Sequence, residues 1–393
     1  MPSIARKNLF EDLPRFLVAQ AGIMFAVSLI TIQTGIFKGV MRSTALLVDY
    51  SPADIWVSSQ DMETLEMTLH MPYKRLSEAQ EVEGVAQAEA LIVQGTLWRD
   101  STGHINHVRV FGFDPDGELF VPGQIVRGSD RDLHRPYTMF VDEASFDTLK
   151  VSWLGDKVEV GAFSATVVGF THDTQSIVAS PYIFASLDNA NAFTTTRPSE
   201  EAASEVQEDP EPLTEDDPIT YILVKAEPGQ NLQELKERLQ EALPYTRAYT
   251  QEEMAQLNRV YWQDRTGIGF VLSLGAGVGV MVGMVVVGQI LYASVSDHIK
   301  EFGTLKAMGA SQSVIYGVII EQALWMAVLG YLPGMMLCWG IQSWALAAQG
   351  LTILISPGTA VGVFGITVVM CVSSAIFAIQ KINRVDPAIV FKA

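Results

Sequence analysis

The sequence predicts a membrane α-helical protein with four transmembrane helices and an extracytoplasmic α+β domain inserted between helices 1 and 2. Three observations predict it. Phe16 to Phe37 and Ile268 to Tyr292 contain no charged residue, and each exceeds the roughly 20 apolar residues that a span requires. From Gln322 to Gln380 there is no Asp, Glu, Lys, Arg or His, a run too long for one helix and divided by Pro357-Gly358. Between the first two runs lies a long polar stretch with alternating apolar segments and turn signals. Only 18% of the residues are charged, below the roughly 25% of soluble domains.

Taken in order, residues 1–15 form an N-terminal segment. Ile4, Leu9, Phe10 and Leu13 alternate there with Arg6, Lys7, Glu11 and Asp12, the pattern of an amphipathic helix lying on the cytoplasmic membrane face, with a disordered leader as the alternative reading. Residues 16–37 are helix 1. Its apolar length exceeds the core of a cleavable signal peptide, and Gln33, Thr34 and Lys38 do not form a small-residue cleavage site. Residues 268–292 are helix 2, 293–313 a loop, 314–337 helix 3 with Pro333-Gly334 near its outer end, 338–358 an outer loop and 359–380 helix 4. Residues 381–393 form a tail. Arg6, Lys7, Arg15, Lys300, Lys306, Lys381, Arg384 and Lys392 cluster at one face, which makes that face cytoplasmic and sets both termini there; Lys38 and Arg42 are outvoted.

The inserted domain spans 38–267. Strand-like runs are Asp54–Ser58, Leu91–Trp98, His107–Phe113, Lys157–Phe170 and Ile219–Lys225. Asn231 to Leu243 places Leu232, Leu235 and Leu239 on one face and reads as a helix. Residues 197–218 are crowded with Glu and Asp against a single Arg197, and read as a disordered acidic loop. Much of the formal net charge of −18 is therefore local, and no basic patch suggests nucleic acid. The two cysteines, Cys338 and Cys371, both lie in apolar runs, so the polar part has no disulfide framework. His70, His104, His107, His134 and His172 are scattered without metal-ligand spacing. Ser145 and Ser180 lack a nucleophile-elbow setting, and nothing reads as an active site. No GxxxxGK[ST] occurs, so the chain has no phosphate cradle of that kind.

The loop between helices 2 and 3 carries the most specific pattern. From Ser296 to Ser311 it reads SDHIKEFGTLKAMGAS. This resembles the signature of the FtsX/MacB-type (type VII) ABC transporter permeases, E-I-G-T-L-[KR]-A-[LM]-G-A-[ST]. The match falls at Glu301, Gly303, Thr304, Leu305, Lys306, Ala307, Met308, Gly309, Ala310 and Ser311. Arg384, Asp386, Pro387 and Ala388 resemble the R-x-D-P-A ending of that family. Phe302 stands where the family has Ile, and His298 and Lys300 stand near its arginine-rich pair. Helix 1 and the run Asp54 to Gln60 resemble the DevC-type subgroup of cyanobacteria.

The resemblance implies a non-catalytic permease subunit in the bacterial inner membrane. It implies a second copy of the chain and a separate ABC ATPase that binds ATP and Mg, with a periplasmic membrane-fusion adaptor and an outer-membrane channel. Its alternatives are a signalling scaffold that activates periplasmic hydrolases and a lipoprotein-release permease. On this reading Glu301, Gly303, Thr304, Leu305, Lys306, Ala307 and Gly309 contact the ATPase through a short helix. Gly303 would permit a bend and close approach, and Gly309 would cap the helix. Gly275, Gly279 and Gly283 recur at four-residue spacing, which reads either as a close-packing stripe against helix 1 of either protomer or as the ordinary glycine content of membrane helices. Glu321 lies about two turns into helix 3, where its carboxylate reaches the interface or faces protein.

Overall fold

The computed structural model describes residues 11, 13–195, 209–265, 267–349 and 353–383. The chain divides into two compact units, Met1–Gly39 with Gly267–Ala393, and Val40–Thr266. Among the described residues, four helices are long and apolar enough to cross a membrane.

In chain order the elements begin with α1 (Leu13–Ser43), α2 (Leu46–Tyr50), β1 (Ile55–Ser59), β2 (Met71–Pro72) and α3 (Arg75–Gln80). Next come β3 (Val85–Arg99), β4 (Ile105–Phe113), β5 (Gln124–Arg127), β6 (Thr138–Asp142) and α4 (Phe146–Leu149). β7 (Lys157–Val160), β8 (Phe163–His172), β9 (Tyr182–Ser186), α5 (Leu187–Thr195) and β10 (Pro218–Ile219) follow. The inserted domain ends with β11 (Tyr221–Ala226), α6 (Leu232–Ala242), β12 (Thr246–Thr250) and α7 (Gln251–Arg265). The chain then forms α8 (Ile268–Asp297), α9 (Ile299–Ala307), α10 (Gln312–Gln349) and α11 (Pro357–Asn383).

In the membrane unit α1 is approached closely from two sides. A side chain at Gly275 would meet Gln33, one at Gly279 would meet Leu29 and Ile30, and one at Gly283 would meet Ala26 and Met370. On the other side, Gly330 and Gly334 of α10 face Ile23 and Val27. The shared core is built from Ala19, Ile23, Ala26, Val27 and Ile30 with Val287, Leu291, Ile319, Ala323, Met326 and Cys371. Tyr331 donates to the Ala360 carbonyl at 2.9 Å, and Ser374 donates to the Met284 carbonyl at 2.9 Å. These bonds tie α10 to α11 and α11 to α8.

Several element boundaries differ from the sequence reading. A charge-free run marks only the part of a helix that can lie in hydrocarbon, and the hydrogen-bonded helix continues past it. Thus α1 extends beyond 16–37 to Ser43, with Lys38 donating to Thr359 at 2.7 Å. α10 runs through the expected outer loop 338–358 as far as Gln349, and Pro333 lies inside the helix, not at its end. Proline removes one helical donor, a loss that neighbouring helices compensate in membranes. α8 and α11 likewise outrun 268–292 and 359–380. The expected amphipathic segment before Leu13 lies mostly outside the described residues, as do Arg384, Asp386, Pro387 and Ala388.

The inserted domain is organised by the fifteen-residue strand β3. Its first half pairs with β11, from Ala226↔Val85 to Tyr221↔Leu91, and β1 and β12 continue that side. Its second half pairs with β4, from Ile92↔Gly112 to Arg99↔Ile105. The chain of pairings β3–β4–β9–β6–β8–β7 returns to β3 and closes a ring. Closure shortens the free edges along those strands. Alternation along β3 splits the core into two faces. Ala88, Ala90, Ile92 and Trp98 enter one cluster with Val108 and Val110, while Leu91 and Val93 enter another with Phe111, Phe140, Phe184 and Tyr221.

Part of the acidic stretch 197–218 is ordered, contrary to the disordered reading. Glu215 and Asp217 accept backbone bonds from Lys74 and Tyr73, and Leu213 packs on the core. One apolar anchor and strand-edge bonding outweigh the local repulsion there. Residues 197–208 lie outside the described residues.

Two glycine replacements separate packing from lipid exposure. Gly283→Ile should destabilise the full chain in detergent by about 1–3 kcal/mol through overpacking against Met370 and Ala26. Gly277→Ile, which meets nothing within 4 Å, should leave the thermal midpoint unchanged. Equal midpoints for the two variants would contradict the packing described.

Candidate functional site

The segment from Asp297 to Ser311 is a helical elbow between α8 and α10. α8 ends at Asp297, His298 has φ −93, and α9 starts at Ile299. The nine residues of α9 are amphipathic. Phe302 is buried within the membrane-unit core, and Leu305, three residues on, packs against it. Residues three and four apart share a helix face, so these two side chains dock α9 onto the bundle. Glu301, Thr304 and Met308 point away and are exposed, Met308 by 71%. Lys306 is half-buried on the flank, and Ala307 is the last residue of the helix.

Gly303 is buried and helical. It lies inside α9, which runs unbroken from Ile299 to Ala307. Gly309 occupies the position expected of a capping glycine. Its φ is +90, a region that side chains with a Cβ avoid. The Gly309 amide donates to Lys306 at 3.1 Å and the Ala310 amide donates to Leu305 at 3.0 Å. This is the Schellman pairing, which satisfies carbonyls left over at a helix end. The chain therefore stops α9 at a fixed place and restarts as α10 at Gln312.

The elbow is tied to the start of α1. Arg15 pairs with Asp297, and the His298 ring nitrogen Nε2 lies 3.3 Å from the Glu11 carboxylate. His298 Nδ1 lies 2.9 Å from the Ser294 carbonyl. Both ring nitrogens face acceptors, and only the imidazolium supplies two N–H donors. Burial by itself lowers the His298 pKa. The Ser294 carbonyl, the Glu11 hydrogen bond and the charges of Glu301 and Glu11 outweigh it, so the value stands above the ordinary one. The sequence pattern singled out neither pair, since Glu11 and Arg15 lie far from Asp297 and His298 along the chain.

The remaining sequence-selected residues lie apart from the elbow. Gly275, Gly279 and Gly283 face α1 of the same chain. Glu321 is half-buried in the third turn of α10, beside the fully buried Gln322. An apolar groove of about 470 Å³, lined by Met281, Met284, Val285, Gly288, Gln289, Tyr292 and Phe377, opens between α8 and α11. Periodicity alone could not show it, because its lining comes from two helices. α8 is also the barest span, with 17% of its most apolar window buried against 39–44% for the others.

Comparison with known families agrees with the elbow pattern. A family model described as FtsX-like permease C-terminal matches residues 273–387, and one described as MacB-like periplasmic core domain matches residues 16–242. The chain belongs to the FtsX/MacB-type ABC transporter permeases. An uncharacterized ABC transporter permease of Mycobacterium tuberculosis strain H37Rv is 25% identical over 321 residues, which cover 81% of this chain and 79% of that protein. A protein of Pseudomonas entomophila named "Probable export ATP-binding/permease protein MacB" is 23% identical over 238 residues, 60% of this chain and 34% of that protein. Among solved structures, the periplasmic region of MacB from Actinobacillus actinomycetemcomitans matches at 11% identity and a TM-score of 0.38, covering 52% of this chain and 92% of that one. The extracellular domain of the transporter YknZ from Gram-positive bacteria matches at 12% identity and a TM-score of 0.35, covering 50% and 98%. This FtsX/MacB-type permease is thus a multi-pass membrane protein whose signature residues form the α9 elbow.

Two measurements test the elbow. Because the folded pKa of His298 is raised, its contribution to the elbow tie is complete below about pH 6.5 and is lost as pH rises through the folded value. His298→Gln should flatten the dependence of thermal stability on pH across that window; an unchanged curve would exclude the tie. Gly309→Ala should cost about 1 kcal/mol or more, because alanine resists the left-handed conformation. Faster amide hydrogen exchange in α9 would report it.

Proposed function

We propose that this chain is the permease subunit of an ATP-driven, mechanotransmitting exporter of the bacterial inner membrane. It acts as a dimer with a second copy of itself and with a separate ABC ATPase that binds ATP and Mg. A periplasmic membrane-fusion adaptor and an outer-membrane channel complete the route. Both termini and the α9 elbow face the cytoplasm, and the inserted domain faces outward.

The observation that carries this reading is the two-faced α9 helix. Phe302 and Leu305 fix it to the bundle, while Glu301, Thr304 and Met308 remain presented to a partner. A helix held this way transmits a push on its outer face to the ends of α8 and α10. Residue by residue, Glu301, Gly303, Thr304, Leu305, Lys306, Ala307 and Gly309 are then contact or positioning residues for the ATPase. The continuity of α1 from Leu13 to Ser43 supports transmission into the inserted domain, since its last turn continues as a helix into that domain. The bare α8 supports a dimer contact on that helix.

The test is co-purification with the ATPase and its ATP turnover in the reconstituted complex. Met308→Asp and Lys306→Glu should weaken association about tenfold or more, as loss of an interface anchor does. Glu81→Lys, on the exposed surface of the inserted domain, should have no effect. Undiminished association and turnover in the two α9 variants would refute the coupling role. Normal turnover by the wild type without export of any substrate would instead favour a signalling scaffold.

A further inference from the structure

The loop between β1 and β2 and the end of α7 carry a partly exposed cluster of apolar and aromatic side chains that the coupling role does not use. Met67 is 53% exposed and Leu69 57%. Tyr261 donates its hydroxyl to the Met67 sulfur at 3.4 Å. The Tyr261 and Trp262 rings lie 5.9 Å apart, edge to face, and the Arg265 guanidinium sits 5.8 Å from the Tyr261 ring centre.

This cluster is held out by design of the loop. The Leu65 amide donates to Asn258 at 2.8 Å, and Tyr221 donates to the Leu65 carbonyl at 2.9 Å. Tyr221 and Asn258 are buried, so the loop base is fixed by the core and the tip is displayed. Contiguous exposed apolar surface rimmed by polar groups marks an interaction site.

The chain itself says what covers it. α7 ends at Arg265 and α8 begins at Ile268, so at most about 10 Å of extended chain separates them. Trp262 is less than one helical turn earlier. The headgroup zone on each side of a bilayer is about 5–8 Å thick, the depth at which Trp and Tyr rings concentrate. A cation beside them lies at phosphate level and can snorkel.

We propose that Met67, Leu69, Tyr261 and Trp262 form a lipid anchor that seats the inserted domain in the headgroup region of the bilayer, with Arg265 at its phosphates. The anchor fixes the depth of α7 where the chain re-enters the membrane. It does not depend on which substrate is moved or on the ATPase.

The test places a spin label at Leu69→Cys, and separately at Met67→Cys, in the full chain reconstituted in nanodiscs of zwitterionic and anionic phospholipid. Cys338 and Cys371 are buried and remain unlabelled. The readout is collision with oxygen, which partitions into lipid, against collision with a water-soluble nickel complex. Both labels should give a ratio several-fold higher than a label at Glu81→Cys, an exposed site elsewhere on the domain. A ratio equal to that control would place the cluster in water and overturn the proposal. Low collision with both reagents would reveal a protein partner or a second copy on the cluster, and would overturn it too. Either label alone decides the question if the other variant does not fold.

Discussion

The membrane unit depends on how closely α1 can be approached. Hydrocarbon offers helices no hydrophobic reason to associate, so contact rests on dispersion between close surfaces and on buried hydrogen bonds. Gly279 and Gly283 on α8, and Gly330 and Gly334 on α10, supply that closeness on two sides of α1. With α1 enclosed, its polar Thr31 is fully buried and reaches the Met335 sulfur at 3.6 Å. The elbow follows from the same packing, because Phe302 and Leu305 need a formed bundle to dock on.

The inserted domain answers to a different constraint. In water, exposed strand edges invite pairing, and the ring through β3, β4, β9, β6, β8 and β7 shortens them. β3 serves both halves because it is long and apolar on both faces, which demands a core on each side. Arg42 pairs with Asp173 at 2.7 Å, and Tyr50 donates to the same carboxylate at 2.8 Å, which holds the last turn of α1 to the β8–β9 loop. Arg259 pairs with Asp49 and Gln251 bonds the carbonyls that end α2, so α2 and α7 are joined within the domain.

The α9 elbow unites the two kinds of reasoning. Its pattern is a family signature, and the structure gives a physical reason for Phe302, Leu305 and Gly309 within it. Phe302 is not a random departure from isoleucine but a core residue filling space beneath α9. Gly309 answers to backbone conformation, with a positive φ at the end of α9. The His298 and Arg15 ties add a charge-dependent link that the signature does not contain.

The sequence by itself determined the four spans, the inserted α+β domain, most of the longer strands and the position of the capping glycine. Each rests on local physics: apolar length against bilayer thickness, period-two alternation, and the left-handed preference of glycine. Tertiary structure alone decided the helix ends, since α10 continues through Pro333 where bundle packing sustains it. It alone revealed β6, β9 and β12, whose short runs become strands only when partners flank them. It also decided that Leu213 anchors part of an acidic stretch, that the glycines of α8 face α1 of the same chain, and that Glu11 and Arg15 meet the elbow. Such contacts join residues far apart in the chain, and no local preference encodes a distance between two surfaces that exist only after folding.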